Sequence, residues 1–146
     1  MALQDRLRRL LPALWLGVLL CIAFIATPAP FASLAPADAG RVVARIFVQE
    51  AWLSLALAAL LFVIERQQAR RAAAAGRGSQ LSTEMLLLAG VAFCTLAGYF
   101  GVQPLLAAAR AGQGALSFGQ LHALSFGLFG LKMLLLGWLA WRSQTS

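Results

Sequence analysis

The chain has 146 residues, of which 61% are apolar and only 12% are charged. Soluble domains are about 45–50% apolar and about 25% charged, so this composition excludes an ordinary water-soluble protein. The formal net charge is +7, and such a strongly basic charge is also typical of nucleic-acid-binding proteins. Here, however, the arginines flank long apolar runs and do not alternate with aromatic residues on a polar surface. We therefore expect a membrane protein with no nucleic-acid partner.

Four apolar segments are long enough to cross the hydrocarbon core of a bilayer, which takes about 20 helical residues. They cover about residues 10–30, 42–66, 81–106 and 116–141, and a basic loop over 67–80 joins the second to the third. Lipid offers no partners to backbone polar groups, and the sequence lacks the alternation of a barrel. We therefore predict one all-α domain over 1–146, an antiparallel four-helix membrane bundle.

Proline and capping residues predict where the helices begin and end. Pro28 and Pro30 predict that the first helix stops at the membrane surface, because proline interrupts the backbone hydrogen bonds of a helix. Asp38 is predicted to cap the second helix and Ser82 the third. The apolar run that opens the first span is longer than a secretory signal core, so we expect this span to be retained as an anchor.

The distribution of arginines predicts the orientation of the spans. Eight lie on one side of a four-span arrangement, namely Arg6, Arg8, Arg9, Arg66, Arg70, Arg71, Arg77 and Arg142. Three lie on the other side, namely Arg41, Arg45 and Arg110. Basic residues favour the cytoplasmic side, so we predict that both termini are cytoplasmic. We also expect this basic rim to attract anionic lipids.

Ionisable side chains inside membrane spans are costly and therefore mark candidate sites. Glu50 and His122 lie at similar depth, near the outer ends of the second and fourth spans. The same outer layer contains further polar residues, namely Arg45, Gln49, Tyr99, Gln103, Gln120 and Ser125. We hypothesise an outward-facing polar pocket built around a Glu50–His122 pair. Such a pair is either a lock between helices or a site for a ligand or proton.

Lys132 is the third ionisable group within a span. Its flexible stem is expected to extend toward the cytoplasmic side, as lysines near helix ends often do. Glu84 and Glu65 are the alternative partners on that side. If Lys132 is only such an anchor, replacing it with leucine should be tolerated.

No catalytic constellation and no metal site are expected from the residue types present. A metal site needs three or four ligands, whereas the chain has one histidine and two well-separated cysteines. We expect no cofactor, and haem bound through His122 is the alternative.

Several short motifs resemble a known family. They are Leu16-Gly17, Phe24 through Phe31, Ala39-Gly40-Arg41, Arg45-Ile46-Phe47, Pro104 with Arg110, and Leu121-His122 followed by Ser125. The chain thereby resembles a bacterial membrane family known as a domain of unknown function, whose eukaryotic relatives are the transmembrane protein two-hundred-and-five-like proteins. The resemblance implies four helices and a location in the bacterial inner membrane, with no established activity.

Three classes of function remain, and the sequence favours them in the following order. The first is a non-enzymatic packing or accessory partner in a membrane complex, or a homo-oligomer. The second is a small transport or permeation component that uses the outward-facing polar site. The third is a haem or redox-linked protein that uses His122.

The predicted orientation can be tested with reporter fusions. Fusions at Gly76 and at the C-terminus should both report a cytoplasmic location, because the arginine bias places those regions inside. A fusion near Asp38 should report the opposite side and serves as the control. A C-terminal fusion that reports the outside would contradict the orientation.

Overall fold

Residues 3–145 are described by the computed structural model, and they form helices and turns with no β-strand. Four continuous helices are each long and apolar enough to cross a membrane. They are α1 (Leu3–Ser33), α2 (Pro36–Ala74), α3 (Thr83–Arg110) and α4 (Phe118–Thr145). The predicted all-α four-helix bundle is confirmed.

Helix α1 passes through its prolines, so the prediction that it stops there is wrong. A π-helical segment, Ile22–Ala26, precedes them. In this wider turn the backbone N–H of Thr27 donates to the carbonyl of Ile22, five residues back, at 2.9 Å. Pro28 then occupies the first position of a new α-helical turn, where a missing N–H leaves no bond unmade. The helix therefore continues to Ser33.

One of the two predicted helix caps is confirmed. Ser82 caps α3, because its Oγ accepts a hydrogen bond from the backbone N–H of Met85 at 3.2 Å. Helix α2 begins at Pro36, two residues before the predicted cap, because proline is pre-organised for the first helical position. Asp38 instead lies in the first turn, where it forms an exposed ion pair with Arg41.

The four helices pack as a ring in which α2 and α4 are opposite each other. Helix α4 packs along α1 and α3, and α2 packs along the same two helices. All four contribute to the main apolar core, through residues that include Trp15, Leu61, Leu88 and Leu136. We call the end of the bundle that holds residues 3 and 145 the arginine-rich end, and the opposite one the far end.

Packing is less complete toward the far end. The last segment of α1, Pro28–Ser33, contacts α2 and not α4 among the described residues. The far half of α4 is correspondingly exposed, and Leu121 is its one fully buried side chain before Lys132. A small second cluster of Val102, Leu106 and Leu121 joins α3 to α4 there.

The closest approach of α3 to α4 at a glycine is at Gly90, where an added Cβ would lie 2.9 Å from Cδ1 of Leu135. We expect Gly90→Ile to lower the free energy of unfolding by about 1–3 kcal/mol, because extra methyl groups overpack this contact. Thermal unfolding in mild detergent, followed by tryptophan fluorescence, measures the change.

Gly17→Ile is the matched control, because a Cβ at Gly17 meets nothing within 4 Å. Equal destabilisation by the two substitutions would contradict a tight α3–α4 contact.

Candidate functional site

A buried ion pair between Glu50 of α2 and Lys132 of α4 lies at the centre of the bundle. The Lys132 ammonium donates a hydrogen bond to Oε1 of Glu50. Only 6% of Glu50 and 2% of Lys132 is exposed. Glu50 is about 22 Å along α2 from Glu65, at the arginine-rich end, given a rise of about 1.5 Å per residue. The pair therefore joins opposite helices deep inside the membrane-spanning region.

Two further side chains extend the ion pair into a network that reaches a third helix. Ser54, one turn after Glu50 on α2, donates its hydroxyl to Oε1 of Glu50. Trp15 of α1 donates its indole N–H to Oγ of Ser54 at 3.1 Å. Trp15 and Ser54 are each only 1% exposed. Hydrogen bonds between buried polar groups therefore connect α1, α2 and α4.

Helix α3 completes the site by lining a cavity beside the ion pair. The cavity has a volume of about 40 Å³. Its walls, besides the ion pair, are Phe47, Cys94, Thr95, Gly98, Tyr99, Gln103, Ser125, Leu128 and Phe129. About 10–15 Å³ of such volume holds one water molecule, so a few waters fit. Sites for organic ligands usually measure about 300–1,000 Å³, so this cavity is too small for them.

A π-helical segment shapes the α3 wall of this cavity. It covers Leu96–Val102 and lies just before Pro104. The wider turn places Gly98 and Tyr99 on the cavity, together with Gln103 from the following α-helical segment. Single π-helical turns within α-helices occur frequently at functional sites.

The ion pair makes the bundle sensitive to the loss of either charge. Removing water from two ions costs several kcal/mol per ion, which their mutual attraction and further hydrogen bonds must offset. Glu50 receives such bonds from Lys132 and Ser54. Losing one partner would leave the other charge buried and unpaired, which typically destabilises a protein by about 3–5 kcal/mol.

The structure brings together half of the predicted outer polar residues. Glu50, Tyr99, Gln103 and Ser125 share the cavity. The other four, Arg45, Gln49, Gln120 and His122, are exposed and do not line it.

Glu50 is paired with Lys132, and not with His122 as hypothesised. His122 lies ten residues before Lys132, about 15 Å nearer the far end. Its ring stacks on Phe118 with 5.8 Å between centroids, and the guanidinium of Arg110 lies 5.1 Å from the same Phe118 ring.

Gln120 has a local role at the start of α4. Its Oε1 accepts a hydrogen bond from the backbone N–H of Ser117, and Oγ of Ser117 accepts one from the N–H of Gln120. This reciprocal capping box stabilises the first turn of the helix.

The predicted environment of Lys132 is wrong, because the side chain is buried at the centre of the bundle and does not extend to the arginine-rich end. Its two alternative partners are bound to arginines instead. Arg8 binds Glu65 through two hydrogen bonds of 2.8 and 3.1 Å. Arg142 binds Glu84 at 3.0 Å.

The described residues show no cluster suited to a metal ion. Within residues 3–145, no three side chains of His, Cys, Asp or Glu lie together as metal ligands do. Cys21 is exposed, Cys94 is buried beside Lys132, and both are free thiols.

A comparison with protein families assigns this chain to one of them. The sequence model of one family, described as a domain of unknown function (DUF4149), matches residues 10–115, about three quarters of the chain. The chain belongs to the DUF4149 family. The match includes Glu50, Ser54 and Trp15 but ends before α4, so Lys132 and the Leu121-His122 motif lie outside it. No curated protein and no solved structure matches this DUF4149 chain.

The ion pair of the DUF4149 protein can be tested with a double-mutant cycle. Lys132→Met should lower the free energy of unfolding by about 3–5 kcal/mol, because it leaves Glu50 buried without its cation. Glu50→Gln/Lys132→Met should recover most of this loss, since it removes both charges and retains an acceptor for Ser54. Unfolding in mixed micelles, followed by tryptophan fluorescence, measures each variant.

Asp38→Asn is the control, because it breaks an exposed ion pair. It should cost less than about 1 kcal/mol. Strictly additive effects of the Glu50 and Lys132 substitutions would show that the two residues do not interact.

Proposed function

We propose that this DUF4149 protein is a non-enzymatic accessory partner in a membrane complex of the bacterial inner membrane, with both termini cytoplasmic. The observation that carries the proposal is the closed network of Trp15, Ser54, Glu50 and Lys132. These polar groups bind one another, and the adjacent cavity is too small for an organic substrate. The network is suited to holding three helices, α1, α2 and α4, in one arrangement.

The exposed far half of α4 supports a packing role. Gly119, Ala123 and Gly127 recur at every fourth position and are all exposed. Added Cβ atoms at either glycine would meet nothing within 4 Å. Small residues at this spacing allow the backbones of two membrane helices to approach closely. The partner proposed for this face is a transmembrane helix of another membrane protein.

The central cavity, which has room for a few water molecules, favours a second candidate function, the permeation of protons or water-sized solutes. Tyr99, Gln103 and Ser125 line the cavity on the far-end side of Lys132. Charged groups buried in membrane spans commonly mark ion or proton pathways. Haem binding through the exposed His122 is a third and weaker candidate, with a visible absorption spectrum as its test.

Copurification tests the accessory role. The full chain, solubilised in mild detergent from its native membrane, should retain a membrane protein that crosslinks to α4. Gly119→Leu/Gly127→Leu should reduce that recovery at least about tenfold, because bulky side chains separate closely packed helices. Gly101→Leu, at an exposed glycine of α3, is the control and should leave the recovery unchanged.

Two results would reject the accessory role. One is the recovery of no partner, with a proton flux into liposomes that Glu50→Gln abolishes, which would favour permeation. The other is a crosslink between two copies of this chain alone, which would make α4 a homo-oligomer interface.

A further inference from the structure

A second and larger concavity opens at the arginine-rich end of the bundle. It is a groove of about 550 Å³ bounded by the ends of all four helices and by the α2–α3 loop. Its charged lining residues are four arginines and two glutamates, namely Arg8, Arg71, Arg77, Arg142, Glu65 and Glu84. The groove has the size of a small-molecule site, unlike the central cavity.

Both acidic groups of the groove are already bound. Glu65 accepts two hydrogen bonds from Arg8, and Glu84 accepts one from Arg142. Both carboxylates are buried, at 3% and 7% exposure respectively. The first ion pair joins α1 to α2 and the second joins α4 to α3, and each is neutral overall.

Arg71 and Arg77 give the groove an excess of two positive charges. Among residues 3–145, neither forms an ion pair with an acidic side chain. Both line the groove, one from the end of α2 and the other from the loop. A guanidinium group presents planar donors that match the oxygens of a phosphate.

The backbone of the α2–α3 loop holds Arg77 at the groove. Gly76 and Gly78 adopt φ angles of 71° and 76°, in the left-handed region that favours glycine. These two residues turn the chain on either side of Arg77. Ser79 and Thr83, which follow in the loop and at the start of α3, add hydroxyl groups to the lining.

The depth of the groove matches that of lipid headgroups. Its lining residues lie just outside or at the edges of the apolar segments, at positions 8, 65, 68, 69, 71, 72, 77–79, 81–84 and 142. A bilayer presents its phosphate groups at this level. Basic pockets between membrane helices at this depth bind the headgroups of anionic lipids.

We propose that this groove is a binding site for an anionic phosphate group, carried either by a phospholipid headgroup or by a soluble phosphate. Arg71 and Arg77 bind the phosphate, while the Arg8–Glu65 and Arg142–Glu84 pairs hold the surrounding helix ends in place. The site is separate from the α4 face assigned above to a protein partner.

The test uses the purified full chain in a nonionic detergent, which itself contributes no surface charge. The probes are phosphatidylglycerol, phosphatidylcholine and inorganic phosphate, and binding is followed by native mass spectrometry and by thermal unfolding. Arg71→Gln/Arg77→Gln removes the two unpaired charges. Arg66→Gln/Arg70→Gln removes two exposed arginines of the same region that do not line the groove.

We expect phosphatidylglycerol to bind and stabilise the unmodified chain, and phosphatidylcholine to bind much more weakly. Arg71→Gln/Arg77→Gln should weaken phosphatidylglycerol binding about 25-fold, at about fivefold for each arginine. Arg66→Gln/Arg70→Gln should change it by less than about threefold, because these arginines lie outside the groove and act on the phosphate only through salt-screened water. Inorganic phosphate that stabilises the chain by itself and displaces phosphatidylglycerol identifies a soluble ligand, whereas phosphatidylglycerol binding that phosphate does not displace identifies a lipid headgroup.

Three results would overturn the proposal. The first is an equal loss of affinity in the two double variants, which would show diffuse attraction to the basic surface. The second is equal binding of phosphatidylcholine and phosphatidylglycerol. The third is the absence of binding by any of the three probes.

Discussion

The ion pair between Glu50 and Lys132 determines how the four helices can be arranged. It joins α2 to α4, the two helices that do not pack along each other in the ring. Because lipid is as apolar as a leucine-rich helix surface, apolar contacts alone discriminate weakly between alternative packings of membrane helices. A pair of buried charges disfavours any arrangement that separates them, since each would then lack a partner in a medium without water. The pair therefore restricts the bundle to arrangements in which α2 and α4 face each other.

The rest of the central site follows from that restriction. Glu50 accepts from Ser54 on its own helix, and Ser54 accepts from Trp15, so the same network also orients α1. Helix α3 contributes no hydrogen bond to this chain of contacts. It contributes the π-helical segment before Pro104 and leaves a space for water beside Lys132. The π-helical segment before Pro104 therefore gives this part of the bundle a cavity lined by polar side chains, where a regular helix would pack as a closed apolar core.

Ion pairs between helices occur at two levels of the bundle and have different consequences. At the arginine-rich end, Arg8–Glu65 and Arg142–Glu84 lie near water and hold helix ends together. Arg71 and Arg77 line the groove at that end without an acidic partner among the described residues, which makes the end electropositive. At the centre, one acid and one base are matched, and the site is neutral overall. The first level is suited to binding an anion, and the second is suited to holding helices in a fixed arrangement.

The sequence by itself determined the class of fold, the number of membrane helices and the cap at Ser82. These depend on local properties, namely the length of apolar runs and the residues next to them. It also identified Glu50, Tyr99, Gln103 and Ser125 as one polar group. It did not identify Lys132 as the partner of Glu50, nor Trp15 and Ser54 as members of the site.

The sequence alone could have indicated Ser54 as a member of the site, because it lies four residues after Glu50 on the same helical face. Lys132 shares a helical face with Ser125, seven residues earlier, but its pairing with Glu50 and the contact of Trp15 depend on how the helices are ordered around the ring and how far each is shifted along its axis. Short connections between apolar helices permit several such orders, and only contacts between distant side chains select one. For that reason the tertiary structure alone decided which of the buried charges meet.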